Sequence, residues 1–333
     1  MRTRRRSRTK PKKNYKKMFI SILVIILLIL IALFAIKIVT DNINKDKITQ
    51  TGEVTEVKEE EIVPKDITIN LVAIGDVMCH SPNFTAAYDA TTKTYDFSPF
   101  FTNVAKYIAE ADIAIGNLET TFSGAARGYS GYPQFNSPSE LGIAIRDIGV
   151  DILSTANNHC MDKGATGVVS TLDALDEIGL NHIGTNRSKE EQDTVLVKEV
   201  NGIKIAFLSF TYGTNGIPVP KGQEYLVNLI DKDLILEQIK LAKEQEVDVI
   251  CASMHWGIEY AQKQNKEQEE QADFLFKNGV DIIIGNHAHV IEPMEMRTVT
   301  LEDGTQKTGF VVYALRKFHI KSIISTYSEQ CNT

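Results

Sequence analysis

Histidine, aspartate, glutamate and asparagine recur at one kind of place in this sequence of 333 residues, directly after short apolar runs. The most prominent example is IIIGNHAH, residues 282–289, in which His287 and His289 stand one residue apart. Imidazole nitrogens, carboxylates and amide oxygens together form a ligand set that suits Mn, Fe or Zn. A pair of such ions about 3.5–4 Å apart can activate water and clamp a phosphoryl group. The pattern therefore indicates metal-assisted hydrolysis.

Five apolar runs end in residues of this kind. The carboxyl ends of parallel strands meet at one edge of a sheet, so we expect these side chains to share one crevice. A surface loop with two incidental histidines is the alternative for residues 287–289. The candidates are Asp76, Asn117, Glu119, Asn158, His159, His255, His287 and His289.

From residue 66 onward, β-branched runs alternate with amphipathic helical windows, a pattern typical of a layered α/β fold. The near-continuous apolar character of the runs indicates strands that are buried on both faces. Asn201-Gly202 predicts a hairpin, which makes the sheet arrangement mixed. Six strands are expected in residues 67–76, 111–117, 150–158, 203–212, 247–256 and 280–289, and helices in 170–179, 234–246 and 268–279.

The first 65 residues have a different organisation. Residues 1–17 are a basic tail with ten Lys and Arg and no acid, and residues 18–39 are almost entirely apolar. Because 22 apolar residues can span a bilayer of about 30 Å, we predict a single transmembrane anchor. The basic tail should stay in the cytoplasm and the rest should face outward. A cleaved signal peptide is the alternative. Residues 40–65 are polar and charged, and we predict a flexible linker.

Charge and cysteine content limit the function further. The net charge is −7, and residues 1–37 contribute +11, so the remainder carries −18. A nucleic-acid partner is not indicated by this acidic balance, whereas the basic tail suits a membrane surface. The four cysteines, Cys79, Cys160, Cys251 and Cys331, show no CxxC spacing. Both free buried thiols and a disulfide remain open for them.

Five motifs in fixed order carry a family resemblance, which extends over about residues 66–315. The sequence resembles the CapA-type poly-γ-glutamate capsule biosynthesis family, within the calcineurin-like metallophosphatase superfamily. The resemblance implies a four-layer α/β/β/α sandwich with mixed sheets over residues 66–314. The motifs are GDVM (75–78), GNLET (116–120), ANNHCMDKG (156–164), HWGIEY (255–260) and GNHAHVIEP (285–293).

The resemblance also implies roles for individual residues. Two divalent ions would be held, the first by Asp76 and His289, the second by His255 and His287, with Glu119 as the bridging carboxylate. Further residues match less directly: His80 lies four positions after Asp76 instead of two, and Asp162 could equally order its loop. Asn158 matches an amide ligand, His159 the catalytic histidine, and Asn117 is a further possible site residue.

The end of the chain departs from the family pattern. Where the family continues YSLGNF, this chain has YALRKF at residues 313–318 and stops at residue 333. Residues 315–322, LRKFHIKS, can be encoded by codons that read LGNFISN when the frame moves by one nucleotide. We therefore hypothesise that residues 315–333 are out of frame and that the domain is truncated, so that His319 and Cys331 carry no functional meaning.

The resulting prediction is a membrane-anchored, outward-facing protein of capsule or poly-γ-glutamate biosynthesis with a two-metal phosphoesterase-type site. Its expected partners are the membrane and proteins of capsule polymer synthesis or export. One alternative is a non-catalytic assembly or export subunit with the same fold. The other is an inactive, truncated copy.

Overall fold

The computed structural model describes residues 29–40 and 67–318. The chain divides into two compact units, Met1–Lys65 and Asp66–Thr333. In the first unit residues 29–40 are helical. Over the two described ranges, no helix combines the length and the apolar character that crossing a membrane requires. The predicted anchor begins outside these ranges, as does most of the predicted linker, so both stay predictions.

The first sheet of the second unit has four parallel strands in the order β1-β4-β5-β6. Its strands are short and apolar, and β4 and β5 are buried along their whole length. The bounds are β1 Leu71–Val77, β4 Ile113–Leu118, β5 Ile152–Ser154 and β6 Asn181–Ile183.

The second sheet has six strands in the order β11-β12-β10-β9-β8-β7 and is mixed. Its four central strands are parallel, while β7 and β11 run antiparallel at the two edges. The predicted hairpin joins β7 to β8, and Asn201 and Gly202 both have positive φ angles, as a two-residue hairpin turn requires. The bounds are β7 Leu196–Val200, β8 Ile203–Thr211, β9 Val249–His255, β10 Ile282–Asn286, β11 Met294–Thr300 and β12 Gln306–Val312.

Helices and a small hairpin connect these strands. The hairpin pairs β2 (Tyr88–Asp89) with β3 (Thr94–Tyr95). Helix α8 begins at a capping box between Asn265 and Gln268, which satisfies amide groups that the first turn leaves unpaired. The helix bounds are α1 Ser81–Ala87, α2 Ser98–Phe101, α3 Ala105–Ala109, α4 Glu140–Asp147, α5 Gly164–Ile178, α6 Lys189–Gln192, α7 Lys232–Glu244 and α8 Lys266–Asn278.

Three apolar clusters show how these elements are layered. One cluster packs helices such as α4 and α5 on the four-stranded sheet, and another packs α7 and α8 on the six-stranded sheet. Between the sheets lies a third cluster, in which Ile115 and Ile152 of one sheet meet Phe207 and Ile284 of the other. The order of layers is therefore helix, sheet, sheet, helix, which agrees with the α/β class and the mixed sheet that the sequence predicts.

All six predicted strands and all three predicted helices are present. The helices begin two to six residues before the predicted windows; the largest difference is at α5, whose first six residues include Gly164 and Gly167. Strands β6, β11 and β12 were not among the predicted strands. Cys79, Cys160 and Cys251 are free and buried, and Cys331 lies outside the described residues.

Candidate metal centre

The strand ends converge as the sequence predicts. Asp76 is the penultimate residue of β1, Glu119 directly follows β4, His255 ends β9, and His287 and His289 follow β10. Strands β9 and β10 are parallel neighbours, and their register places Asn286 opposite His255. The side chains of Asp76 and Glu119 are completely inaccessible to solvent, and each of the three histidines is at least nine-tenths buried.

The five side chains form two groups that share one residue. Ligand atoms of Glu119, His255 and His287 lie within 4.8 Å of one another, and so do those of Asp76, Glu119 and His289. Two oxygens of one carboxylate face different partners: Glu119 Oε1 lies 3.7 Å from His255 Nε2, and Glu119 Oε2 lies 3.9 Å from His289 Nδ1. Glu119 is therefore the residue that the two groups share.

The backbone that carries the His-x-His pair is unusual. His287 and His289 have φ angles of 97° and 59°, in the left-handed region that costs a non-glycine residue about 1–3 kcal/mol. Gly285, just before them, lies so close to the last strand that a Cβ atom there would be 1.8 Å from the carbonyl oxygen of Tyr313. The glycine therefore lets the chain at Tyr313 pass close to β10, and the positive-φ backbone that follows β10 directs both imidazoles inward.

Two histidines of the centre, His255 and His287, are held in their neutral form. Burial lowers the pKa of His255 well below 6.5, and burial likewise lowers the pKa of His287 to about 4. Burial would raise the pKa of Asp76, but the hydrogen bond with His289 and the nearby imidazoles outweigh it and lower that pKa. Neutral imidazoles and an ionised carboxylate are the forms that bind divalent cations.

Glu119 shows that the residues present fit a metal ion. Both of its oxygens are buried without a hydrogen-bond partner in the described part of the chain, and the same holds for His287 Nδ1. Burial and the charge of Asp76 raise the pKa of Glu119 well above 4.5. Because an unpaired buried carboxylate is costly, this environment suits a positive ion as a partner for the ionised side chain. Mixed carboxylate and imidazole donors suit a divalent first-row metal.

Two asparagines extend the centre. Asn158 Oδ1 lies 2.9 Å from His255 Nε2, which places its amide oxygen beside the Glu119–His255–His287 group. Asn117 Nδ2 donates to Asp76 Oδ1 at 2.8 Å, and its own Oδ1 accepts a hydrogen bond from Ser154. Asn158 is thus positioned as a possible ligand, whereas Asn117 orients the carboxylate of Asp76.

His159 lies beside the two groups and is held by its neighbours. Its Nδ1 is 2.8 Å from Asp162 Oδ2, and the same oxygen accepts the backbone N–H of Phe135 at 2.6 Å. The ring of Phe135 meets the imidazole edge-on at 4.7 Å. Asp162, for which the sequence left two roles open, therefore fixes the orientation of His159 and leaves Nε2 as the nitrogen available for proton exchange.

Other residues within the matching motifs lie around the centre instead of in it. His80 is not a member of either ligand group: it contacts Phe135 at 5.0 Å and its Nε2 is 2.9 Å from Lys317 Nζ. The later position of His80 places it at the start of α1, where its backbone joins a capping box with Asn83. Trp256 donates to the carbonyl of Tyr313 and forms a buried wall.

Some neighbours of the site carried no signal in the sequence. The Tyr212 ring contacts His287 at a tilted angle with ring centroids 4.6 Å apart. Asn215 Nδ2 lies 3.4–3.5 Å from both His159 nitrogens, and Asn215 Oδ1 accepts a hydrogen bond from Asn158. Lys317 also lies near the site, with its Nζ 2.9 Å from His80 Nε2. Tyr212 and Asn215 lie on the loop after β8. The carboxyl end of β8 points to the same crevice, and this strand direction was the one indication that residues of the loop lie near the site.

Comparisons with known proteins agree with the motifs. A protein from Bacillus anthracis named capsule biosynthesis protein CapA is 26% identical over 279 residues, which cover 81% of this chain and 63% of that protein. The PGA biosynthesis protein CapA of Bacillus subtilis is 31% identical over 159 residues, 47% of this chain and 41% of that protein. The chain thus spans less than two thirds of the length of either relative.

Solved structures give weaker matches. A putative 5'-nucleotidase from Staphylococcus aureus is 14% identical and covers 79% of this chain and 58% of that one, with a TM-score of 0.44. A hypothetical protein from Thermus thermophilus is 16% identical, with a TM-score of 0.41 and coverage of 78% and 84%. The family model described as bacterial capsule synthesis protein PGA_cap matches residues 70–318, about three quarters of the sequence. The chain therefore belongs to the family of bacterial capsule synthesis proteins.

Proposed function

We propose that this protein is a metallophosphatase-like hydrolase of capsule or poly-γ-glutamate biosynthesis that uses two divalent ions, Mn, Fe or Zn. The observation that carries the proposal is Glu119, which belongs to both ligand groups and whose two oxygens face His255 and His289 and have no hydrogen-bond partner in the described residues. Asp76 and His289 would hold one ion, and His255, His287 and Asn158 the other. When bound, such a pair would activate water and polarise a phosphoryl oxygen.

The protein's own residues would assist the reaction around this pair. His159 would exchange a proton at Nε2 with the leaving oxygen, because Nδ1 is engaged by Asp162. Asp162 would stabilise the imidazolium that forms, and Asn215 would keep the ring in place from the other side. General acid–base assistance of this kind typically contributes about 10²–10⁴ in rate.

Metal content provides the direct test of this proposal. Full-length protein purified in mild detergent should bind close to two equivalents of a first-row metal and hydrolyse a generic phosphoester such as p-nitrophenyl phosphate. Glu119→Gln should lose metal, whereas Glu292→Gln, a change at a second buried glutamate outside both ligand groups, should retain it. Absence of metal from wild-type protein after reconstitution with Mn, Fe and Zn in turn would refute the proposal.

We also propose that the protein is anchored in the membrane by residues 18–39 with its α/β unit outside the cytoplasm. The proposal is supported by the ten basic residues in 2–17 and the apolar run that follows them. Proteins of polymer synthesis or export would be its partners at that surface. Protease treatment of intact cells should remove the α/β unit and spare the basic tail.

A non-catalytic assembly subunit is the second candidate, and one feature favours it. Strand β11 is an edge of the six-stranded sheet, and Met294 and Met296 on it are 59% and 65% exposed. An exposed apolar edge strand is suited to pairing with another protein. His159→Ala separates the two candidates, because a scaffold would still support capsule formation with this change and a hydrolase would not.

A further inference from the structure

A cleft of about 860 Å³ opens directly beside the candidate metal centre. His289 belongs both to the Asp76–Glu119 group and to the wall of this cleft, so the two spaces are continuous. The volume is in the range of about 300–1,000 Å³ that small-molecule sites occupy. Anything bound at the ions would therefore have room to extend into the cleft. We call it the Lys317 cleft, lined by Met78, His80, Pro82, Asn83, Tyr260, Gln262, His289, Val290, Ile291, Arg316, Lys317 and Phe318.

The charge of the Lys317 cleft is opposite to that of the chain around it. Its lining contains Arg316 and Lys317 but neither aspartate nor glutamate among the described residues. The sequence after residue 37 carries a net charge of −18, whereas the described lining of this pocket has two cations and no acidic residue. Tyr260 and Ile291 add apolar surface to the same cleft and are 67% and 62% exposed.

The segment that carries the two cations is held firmly in place. Leu315 N–H donates to the carbonyl of Gly285, and Phe318 N–H donates to the carbonyl of Asp76, both at 2.9 Å. The ring of Phe318 stacks on Phe101 at 5.8 Å. Residues 315–318 are thus attached at both ends to the strands that supply the metal ligands, and the cations between them have a defined position.

Lys317 is close enough to the centre to influence it. Its ammonium group lies 2.9 Å from His80 Nε2, and its positive charge acts to lower the pKa of Glu119, against the larger effects of burial and Asp76. Arg316 stands at the exposed side of the cleft. Lys317 therefore lies on the side of the cleft nearer to the metal centre, and Arg316 lies on the side nearer to solvent.

We propose that the Lys317 cleft binds a second anionic oxygen group, a carboxylate or a phosphate, on the substrate whose phosphoester lies at the metal centre. The inference rests on the proposed hydrolase function and applies to this chain as its sequence stands. In a chain with the reading frame restored, Gly and Asn would replace Arg316 and Lys317, and the preference for a second anionic group should be absent. The inference makes the preferred substrate a molecule with two separated anionic groups joined by a partly apolar spacer, which Tyr260 and Ile291 would contact. Arg316 and Lys317 would be specificity-determining residues, since guanidinium and ammonium groups form charge-assisted hydrogen bonds with such oxygens.

The test compares three phosphonates, which bind without being hydrolysed. Phenylphosphonate, 4-carboxyphenylphosphonate and 1,4-phenylenebis(phosphonic acid) are titrated calorimetrically into metal-loaded full-length protein. We expect the second anionic group to tighten Kd about tenfold, as one charge-assisted contact would. Whether the carboxylate or the second phosphonate binds more tightly identifies the class of group. Equal affinities for all three compounds would overturn the inference.

Variants at Arg316 and Lys317 test whether these two cations cause the preference for a second anionic group. Arg316→Gly with Lys317→Asn removes both charges and recreates the residues that the shifted reading frame would encode at these positions. Arg316→Gln with Lys317→Gln also removes both charges but introduces no glycine, so a folding defect caused by the glycine can be recognised. Lys240→Asn, on the exposed face of α7, is the matched control. Both double variants should reduce the preference to less than twofold, and the control should keep it. A preference that persists in correctly folded double variants would refute the assignment.

Failure of this inference can be told apart from failure of the proposed hydrolase. KM and kcat are measured for phenyl phosphate and 4-carboxyphenyl phosphate. If both esters are hydrolysed with the same KM and the phosphonates bind with equal affinity, the proposed anion-binding role of the cleft is wrong and the proposed hydrolase function stands. If neither ester is hydrolysed but the binding preference for the second anionic group is retained, the proposed hydrolase function is wrong and the cleft still binds anions.

Discussion

Glu119→Gln should have opposite effects on the metal-free and the metal-loaded protein. In the metal-free state, Glu119 is fully buried, neither of its oxygens has a hydrogen-bond partner among the described residues, and Asp76 lies nearby. Glutamine keeps the size of the side chain and removes its charge. The metal-free variant should therefore be more stable than wild type, although the change disrupts the candidate centre.

The expected magnitude follows from the environment of the carboxylate. Leaving a buried polar group unsatisfied costs about 1–3 kcal/mol. Relief of that cost should raise Tm of the metal-free protein by roughly 3–9 °C for a domain of this size. With metal at about 100 times its Kd, wild type should gain about 2.7 kcal/mol, and the variant should gain almost none. The order of the two melting temperatures should thus reverse when metal is added.

The pH dependence of the difference has a definite sign. The pKa of Glu119 is raised above its usual 4.5, so the folded metal-free protein retains this proton to higher pH than the unfolded chain does. Wild type should therefore lose stability relative to the variant as pH rises above 4.5. His255 and His287 produce an opposite slope up to pH 6.5, because their pKa values are lowered. Both proteins share that slope, and it cancels in the difference.

The assay is thermal unfolding of chelator-treated and metal-loaded protein between pH 5 and pH 8. Glu292→Gln is the control, because Glu292 is also buried and has one unpartnered oxygen, yet belongs to neither ligand group. This control should respond to metal as wild type does. A metal-free Glu119→Gln protein that is less stable than wild type at pH 8 would show that the carboxylate is satisfied in a way that contradicts our reasoning.

Three further predictions follow. His159→Ala should lower kcat for a phosphoester by about 10²–10⁴ with unchanged metal content, and Asp162→Asn should lower it less, which steady-state kinetics and elemental analysis would check. Metal affinity in competition titrations should rise with pH above 4.5, because Glu119 must lose a proton there while His287, with a pKa of about 4, is already neutral; a flat profile would contradict this. Sequencing the coding DNA of residues 315–322 should reveal codons that give Leu-Gly-Asn-Phe in another frame, and codons unable to do so would reject the frame-shift hypothesis.

The elements that position the centre could be predicted because their signals are local. Buried parallel strands are continuous apolar runs, and a polar residue at the end of each run locates the edge of the sheet. Asp76 and His289 are 213 residues apart in sequence, yet their side chains lie 2.9 Å apart. The rule that parallel strands end on the same side was enough to bring them together.

The rest depended on tertiary contacts that no local pattern encodes. Strand β6 has three residues, too few for a period to be recognised, and it exists because β5 offers an edge for pairing. Asn215 carries no motif and reaches His159 through the fold of its loop. His80 shows the opposite case, since its residue type suggests a ligand, but four positions after Asp76 the chain has already entered the capping box of α1.

Several features that cost stability are concentrated in one crevice, and a metal ion bound there would account for them together. Unpartnered Glu119 oxygens and left-handed backbone at His287 and His289 occur within one small volume. Each feature costs stability, and a buried crevice with only a structural role would be more stable with apolar side chains. A bound cation would pair with the Glu119 oxygens and remove the cost of leaving them unpartnered. It would also account for the strained backbone, because that backbone directs two imidazoles toward the carboxylate. A scaffold that used edge strand β11 would need none of these features, whereas the proposed hydrolase would need each of them.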